Sequence, residues 1–242
     1  MKKLGIIVLV LGLFLSPTIA MAKSDKGIIH VSTSADMEIA PDVAEISFAV
    51  ITNDYKSMQI ATGENKIISE KVLSELKSLI NEKNGDYIKT SDFNATPIYT
   101  YNNSKKTFDR YEVSNKVIVH TKSINNIGKM IDKAINAGAT KIENLSFSVS
   151  NYENHCNDLI SNATQKAKTR AEATALALNT SLDGISSINT SCSINNQHQP
   201  RLYMAKNMVA DIAAESFGDS STPISNGTIK VYANINAGFF VK

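Results

Sequence analysis

The amino-acid sequence predicts an α+β fold: mainly antiparallel sheets with helices packed on one face, a two-layer sandwich. Three observations lead there. Segments that alternate apolar and polar residues recur along the whole chain, as strands with one buried and one wet face do. Three longer segments switch to apolar spacings of three and four, the period of a helix face. The strands also lack the continuous apolar runs of buried parallel sheet, which leaves helices on one side of antiparallel sheet as the expected arrangement.

Residues 1–22 stand outside this fold. Lys2 and Lys3 precede the apolar run "LGIIVLVLGLFL", and Ala20, Met21 and Ala22 supply a small-residue cleavage site. That pattern is a secretory signal peptide, and the run is short for a bilayer span. Cleavage is expected after Ala22, which leaves no transmembrane segment in the mature chain. The full chain carries 25 basic and 23 acidic residues. Losing Lys2 and Lys3 balances the two counts, and no basic stripe remains to suggest nucleic acid as a partner.

The elements follow in order. "GIIHVSTSADMEI" turns Ile29, Val31, Thr33, Ala35, Met37 and Ile39 to one side. Pro41 interrupts it. "VAEISFAVIT" then alternates through Ala44, Ile46, Phe48 and Val50, so the pair reads as a hairpin or bent ribbon. Residues 56–82 show a helical face of Ala61, Asn65, Ile68, Val72, Leu76 and Ile80, with Gly85 past its end. "DYIKTSDFNATPIYTYNN" is strand-like but broken at Pro97, and "RYEVSNKVIVHT" is a strand. Ser123 is placed to cap a second helix with Ile124, Ile127, Ile131 and Ile135 inward, stopped by Gly138. After the strand "KIENLSFSVSN", residues 153–180 form the longest helix. "GISSINTSCSIN" and "GTIKVYANINAGFFV" supply two more strands. An outer-membrane barrel would need strands throughout, and three helices oppose it.

The segments "APDVAEISFAV", "YEVSNKVIVHT", "IGKMIDKAINAGATKIENLSFSVSN" and "ATQKAKTRAEATALALN" followed by Gly184 resemble the SIMPL-domain family in order and spacing. This is a family of exported bacterial proteins of unknown function, with periplasmic immunogenic and oxidative-stress defence proteins among its members. The resemblance covers nearly all of the mature chain. Two local departures, "VSTSAD" where the family has glycines and Arg110–Tyr111 where Gly-Tyr is usual, leave it intact. It implies a two-part α/β fold, periplasmic or surface residence and, from some members, a tendency to form large ring-like homo-oligomers, and it hands over no catalytic residue. Two interleaved subdomains are expected, residues 23–95 with 184–242 and residues 96–183.

"NYENHCNDLI" sets His155, Cys156, Asn157 and Asp158 in a row, the residue types of a thiol hydrolase. On a helix, however, neighbours fan out by about 100° and do not meet. Cys156 instead falls on the apolar stripe with Ile160, Ala163, Ala167, Ala171, Thr174 and Leu178, as a small buried hydrophobe. Cys192 alternates with Ile188 and Ile194 on the inner side of its strand. An exported protein with two cysteines invites a disulfide. With the helix ending near Leu182 and the strand starting near Gly184, the two cysteines lie about 39 Å and 26 Å from the turn. That mismatch weighs against a bond, although helix tilt would narrow it.

The histidines are scattered, and no HxH, HxxxH or CxxC spacing supports a metal site. Met204 and Met208 beside His198 could hold soft copper, but packing is the commoner use of such a pair. No cofactor is expected. Asn65, polar in an apolar stripe, is expected to bond a sheet carbonyl or a turn rather than a ligand.

The connection from Asn196 to Asn226 is far longer than the usual loop. Its apolar first half is expected to dock, with Leu202, Tyr203, Met204 and Met208 as candidate interface residues, while residues 217–223 stay mobile. The functional expectation is a non-enzymatic exported protein that acts by assembly or binding in the envelope, in oxidative-stress tolerance by the resemblance. The alternatives are a thiol enzyme or antioxidant using Cys156 or Cys192, and a small-ligand carrier.

Overall fold

The computed structural model describes residues 26–102, 105–195 and 221–242. Within them run β1 (Ile28–Ile39), β2 (Val43–Asp54), α1 (Met58–Lys77), β3 (Tyr87–Asn102), β4 (Lys105–Thr121), α2 (Ile127–Ala137), β5 (Lys141–Ser148), α3 (Tyr152–Ala177), β6 (Leu182–Asn195) and β7 (Ile229–Val241). The strands form two sheets, ordered β1-β7-β6 and β3-β4-β2-β5, with every pairing antiparallel. Helix α3 lies on the first sheet, and α1 and α2 lie on the second. The α+β class read from the sequence holds, and neither sheet closes into a barrel.

The first pair of strands departs from expectation. β1 and β2 do not form a hairpin: β1 pairs with β7, while β2 pairs with β4 and β5. The break at Ala40–Asp42 is where the chain passes from one sheet to the other. It returns at residues 149–151, and the two crossings are latched together. The Ser150 backbone N–H and hydroxyl both donate to the Asp42 carboxylate, and the Asp42 N–H donates to the Ser148 carbonyl. The sheets thus group residues 43–148 apart from the rest. The cuts expected at 95/96 and 183/184 fall within β3 and β6.

Each sheet has its own core. β2 sends Ile46, Phe48 and Val50 against Val72 and Leu76 of α1 and Met130 and Ile131 of α2. The other core sets Ala163, Ala167, Ala171 and Ala175 of α3 on Val231, Ala233 and Ile235 of β7. Small side chains let this helix lie close on its sheet. In both layers a threonine ties helix to strand, Thr33 donating to the Ala163 carbonyl and Thr52 to the Ala61 carbonyl, each at 2.7 Å.

Several expected positions shift. The buried stripe of α3 is Cys156, Leu159, Ala163, Ala167, Ala171 and Ala175. Leu178, assigned to that stripe, follows the last helical turn and is 65% exposed. Ser123 caps nothing through its side chain. A 3-10 turn at Ile124–Asn126 precedes α2, and Met130 and Ala134 face the core while Ile135 is exposed. Pro97 does not break β3, which is an edge strand, the place in a sheet where proline is tolerated. Thr222, inside the stretch expected to be mobile, is held on α2: its N–H and hydroxyl donate to Asp132 at 3.0 and 2.5 Å.

Candidate functional site

The stretch around Cys156 is structural. Cys156 is 4% exposed in the first turns of α3, and its sulfur is bonded to that of Cys192 on β6, with the Cα atoms 5.8 Å apart. The mismatch expected between the two paths does not arise, because both boundaries lie elsewhere. Helix α3 ends at Ala177 and β6 starts at Leu182. From those ends, Cys156 lies about 32 Å back along the helix and Cys192 about 33 Å along the strand. The two paths match, and the cysteines meet. The bond leaves no free thiol among the described residues.

Asn65 is fully engaged. Its amide donates to the Val50 carbonyl at 2.8 Å and the Val113 carbonyl at 3.1 Å, bridging β2 and β4. Its carbonyl accepts from the Ser69 hydroxyl at 3.2 Å, and Ser69 in turn accepts from the Asn115 amide at 3.1 Å. The chain of bonds explains a polar residue in the apolar stripe, as the sequence reading expected, and leaves the amide nothing to offer a ligand.

The described histidines lie on separate elements, His155 on α3. His120 stacks on Tyr87 with ring centroids 4.7 Å apart, and His30 lies on the open face of the three-stranded sheet beside Gly238. His198, Met204 and Met208 lie outside the described residues, as do Ala22 and the candidate interface residues Leu202 and Tyr203.

The feature with the chemistry of a contact surface is one the sequence reading passed over. Beyond the pair Asp54–Tyr111, β2 ends and β4 pairs with β3 alone. The resulting two-stranded ribbon carries Tyr99, Tyr101 and Phe108 on its surface, with Tyr101 70% exposed. Phe108 packs edge-on to Tyr99 at 6.0 Å and tilted on Tyr111 at 4.9 Å, and Lys106 sits 3.9 Å above the Tyr99 ring. The base is braced by Arg110, whose guanidinium reaches Asn53, Asp109 and Glu112. In "YTYNN" the sequence shows only that two tyrosines share one strand face; that they stay uncovered follows from where β2 ends.

Comparison with known proteins bears on the whole of this architecture. The profile of SIMPL, described as a protein of unknown function (DUF541), matches residues 29–239. Two relatives are each named 26 kDa periplasmic immunogenic protein, from Brucella melitensis biotype 1 and Brucella abortus strain S19. Each is 24% identical over 225 residues, covering 88% of this chain and 84% of the relative. The match takes in both sheets, all three helices and the crossings between them, and the chain belongs to the SIMPL family.

Proposed function

We propose that this chain is an exported, non-enzymatic SIMPL protein that works in the bacterial periplasm by assembling with copies of itself, in tolerance of oxidative stress. One observation carries the reading: the aromatic ribbon at the end of β3 and β4. A two-stranded ribbon is marginal in water without a third strand or a packed face, and exposed aromatic patches mark interaction sites. Tyrosine and phenylalanine are the residue types that concentrate at interface cores. Periplasmic residence draws support from the relatives' names and from the signal-like pattern of residues 1–22. Among the described residues no helix is long and apolar enough to cross a membrane.

Light scattering on Lys23–Lys242 tests the assembly. The expected mass is a multiple of the monomer. The triple variant Tyr99→Ser, Tyr101→Ser, Phe108→Ser is expected to reduce it to the monomer with unchanged circular dichroism. A monomeric parent across a wide concentration range overturns the reading. Peroxide sensitivity of a strain lacking the protein tests the stress role separately.

A further inference from the structure

We propose that the free edge of β1 takes up an extended, acidic segment of another polypeptide as an added strand, with Lys166 and Arg170 as its carboxylate partners. The Val241 N–H donates to the Gly27 carbonyl at 3.0 Å, which makes that couple a hydrogen-bonded pair. The pairing then runs without a bulge from Ile28–Phe240 to Ile39–Ile229. Hydrogen-bonded and non-bonded pairs alternate along an antiparallel ladder. Ile28, His30, Ser32, Ser34, Asp36 and Glu38 therefore turn their backbone N–H and C=O groups away from β7, towards the open edge. No other described strand pairs with that edge.

A strand of 12 residues left uncovered among the described residues is a template for another chain, and natural proteins blunt such edges, most often with lysine. Here two basic side chains, one helical turn apart on α3, reach over it. Arg170 donates to the Ser32 carbonyl at 3.0 Å and Lys166 to the Ser34 carbonyl at 3.3 Å. Neither forms an ion pair with a described carboxylate, whereas Lys168 between them pairs with Glu172. A depression of about 590 Å³ on the helix side, lined by Asp36, Met37, Asn162, Gln165 and Thr169, meets these two side chains, and the Asp36 carboxylate is itself paired with Lys230. So does one of about 450 Å³ on the open side, lined by Ser34, Asn234 and Asn236. Alternate side chains of an incoming strand would occupy the two.

The exchange balances. Backbone N–H groups of the new strand take over the two carbonyls, as in strand addition generally. The displaced ammonium and guanidinium groups then require anions, which acidic side chains on the helix side supply. A second copy of β1 does not meet that requirement, because the side it would present there carries Thr33, Ala35 and Met37. The site is separate from the aromatic ribbon, and failure at one leaves the other standing.

The probe is a fluorescein-labelled peptide of eight alternating valines and glutamates, followed by anisotropy as Lys23–Lys242 is added. Saturable binding is expected, with slowed amide exchange at Ser32 and Ser34. The double variant Lys166→Gln, Arg170→Gln should weaken it at least about tenfold, equivalent to about 1.4 kcal/mol. Both side chains lie on the surface of α3, and an unchanged thermal midpoint checks that the variant folds. The same peptide methylated on its backbone nitrogens keeps its charge and should not bind. Absence of saturable binding overturns the proposal. Equal binding of the methylated peptide, which would mark a plain anion patch, overturns it too, as does equal binding by the double variant.

Discussion

At the scale of single residues, polar side chains hold the layers in register. Replacing Asn65 with leucine leaves the carbonyls of Val50 and Val113 and the Ser69 hydroxyl without its bonds. Unsatisfied buried groups of this kind cost about 1–3 kcal/mol each. The variant is expected to lose at least that much stability in urea, and Ser69→Ala distinctly less. Asp86 gives a pH signature. Burial alone would raise its carboxyl, but the N–H groups of Asn81 and Lys122 and the Thr121 hydroxyl outweigh it and hold the pKa below the ordinary 3.8. A depressed folded-state pKa contributes stability that is fully present above the unfolded value and lost as pH falls through the folded one. The gap in urea midpoint between parent and Asp86→Asn should therefore be constant from neutral pH to about 5, then shrink below about 4. A gap that persists undiminished at pH 2 would show that the carboxylate charge is not what Asp86 contributes.

At the scale of elements, the disulfide fastens the start of α3 to β6, an edge strand. It closes a loop with a sequence separation of 36, and in the chain-entropy view such a link is worth about 4 kcal/mol. The variant Cys156→Ala, Cys192→Ala is expected to unfold correspondingly earlier. Hydrogen exchange should show the loss in β1, β6, β7 and α3 and spare β2 to β5, since the cores are separate. Uniform loss across both sheets would mean that they unfold as one unit. The same pair of elements marks what the sequence made legible. Alternation located the strands, even β2, which is buried along most of both faces, and Cys156 was correctly put on the buried side of its helix. The bond was not legible, because five residues of error at the helix end and two at the strand start accumulate to more than a disulfide can span. Thr174 and Leu178 were misplaced for a related reason: a 3.6-residue period read in steps of three and four drifts off the buried face near a helix end. The aromatic ribbon went unread because its exposure depends on β2 stopping at Asp54, a property of pairing and not of pattern.

At the scale of the molecule, what escaped the sequence is which strand lies beside which. β1 and β2 are neighbours in the chain but members of different sheets, and nothing in their alternation says so. The carboxylate of Asp42 receiving Ser150 holds the crossing that separates them. The pairing of β1 with β7 has a further consequence. It joins the first described strand to the last, so this sheet cannot form until its central strand has left the ribosome, and the early portion must wait with its alternating face uncovered. Contacts of such long sequence separation slow folding. Because the Gly27 carbonyl and Val241 N–H are hydrogen-bonded, the two ends can be spliced by a short glycine linker and the chain reopened between β3 and β4. In that circular permutant the most distant pairing becomes a local hairpin. Stopped-flow refolding should be faster than in the parent at unchanged exchange protection, and an equal rate would place the slow step in the other sheet.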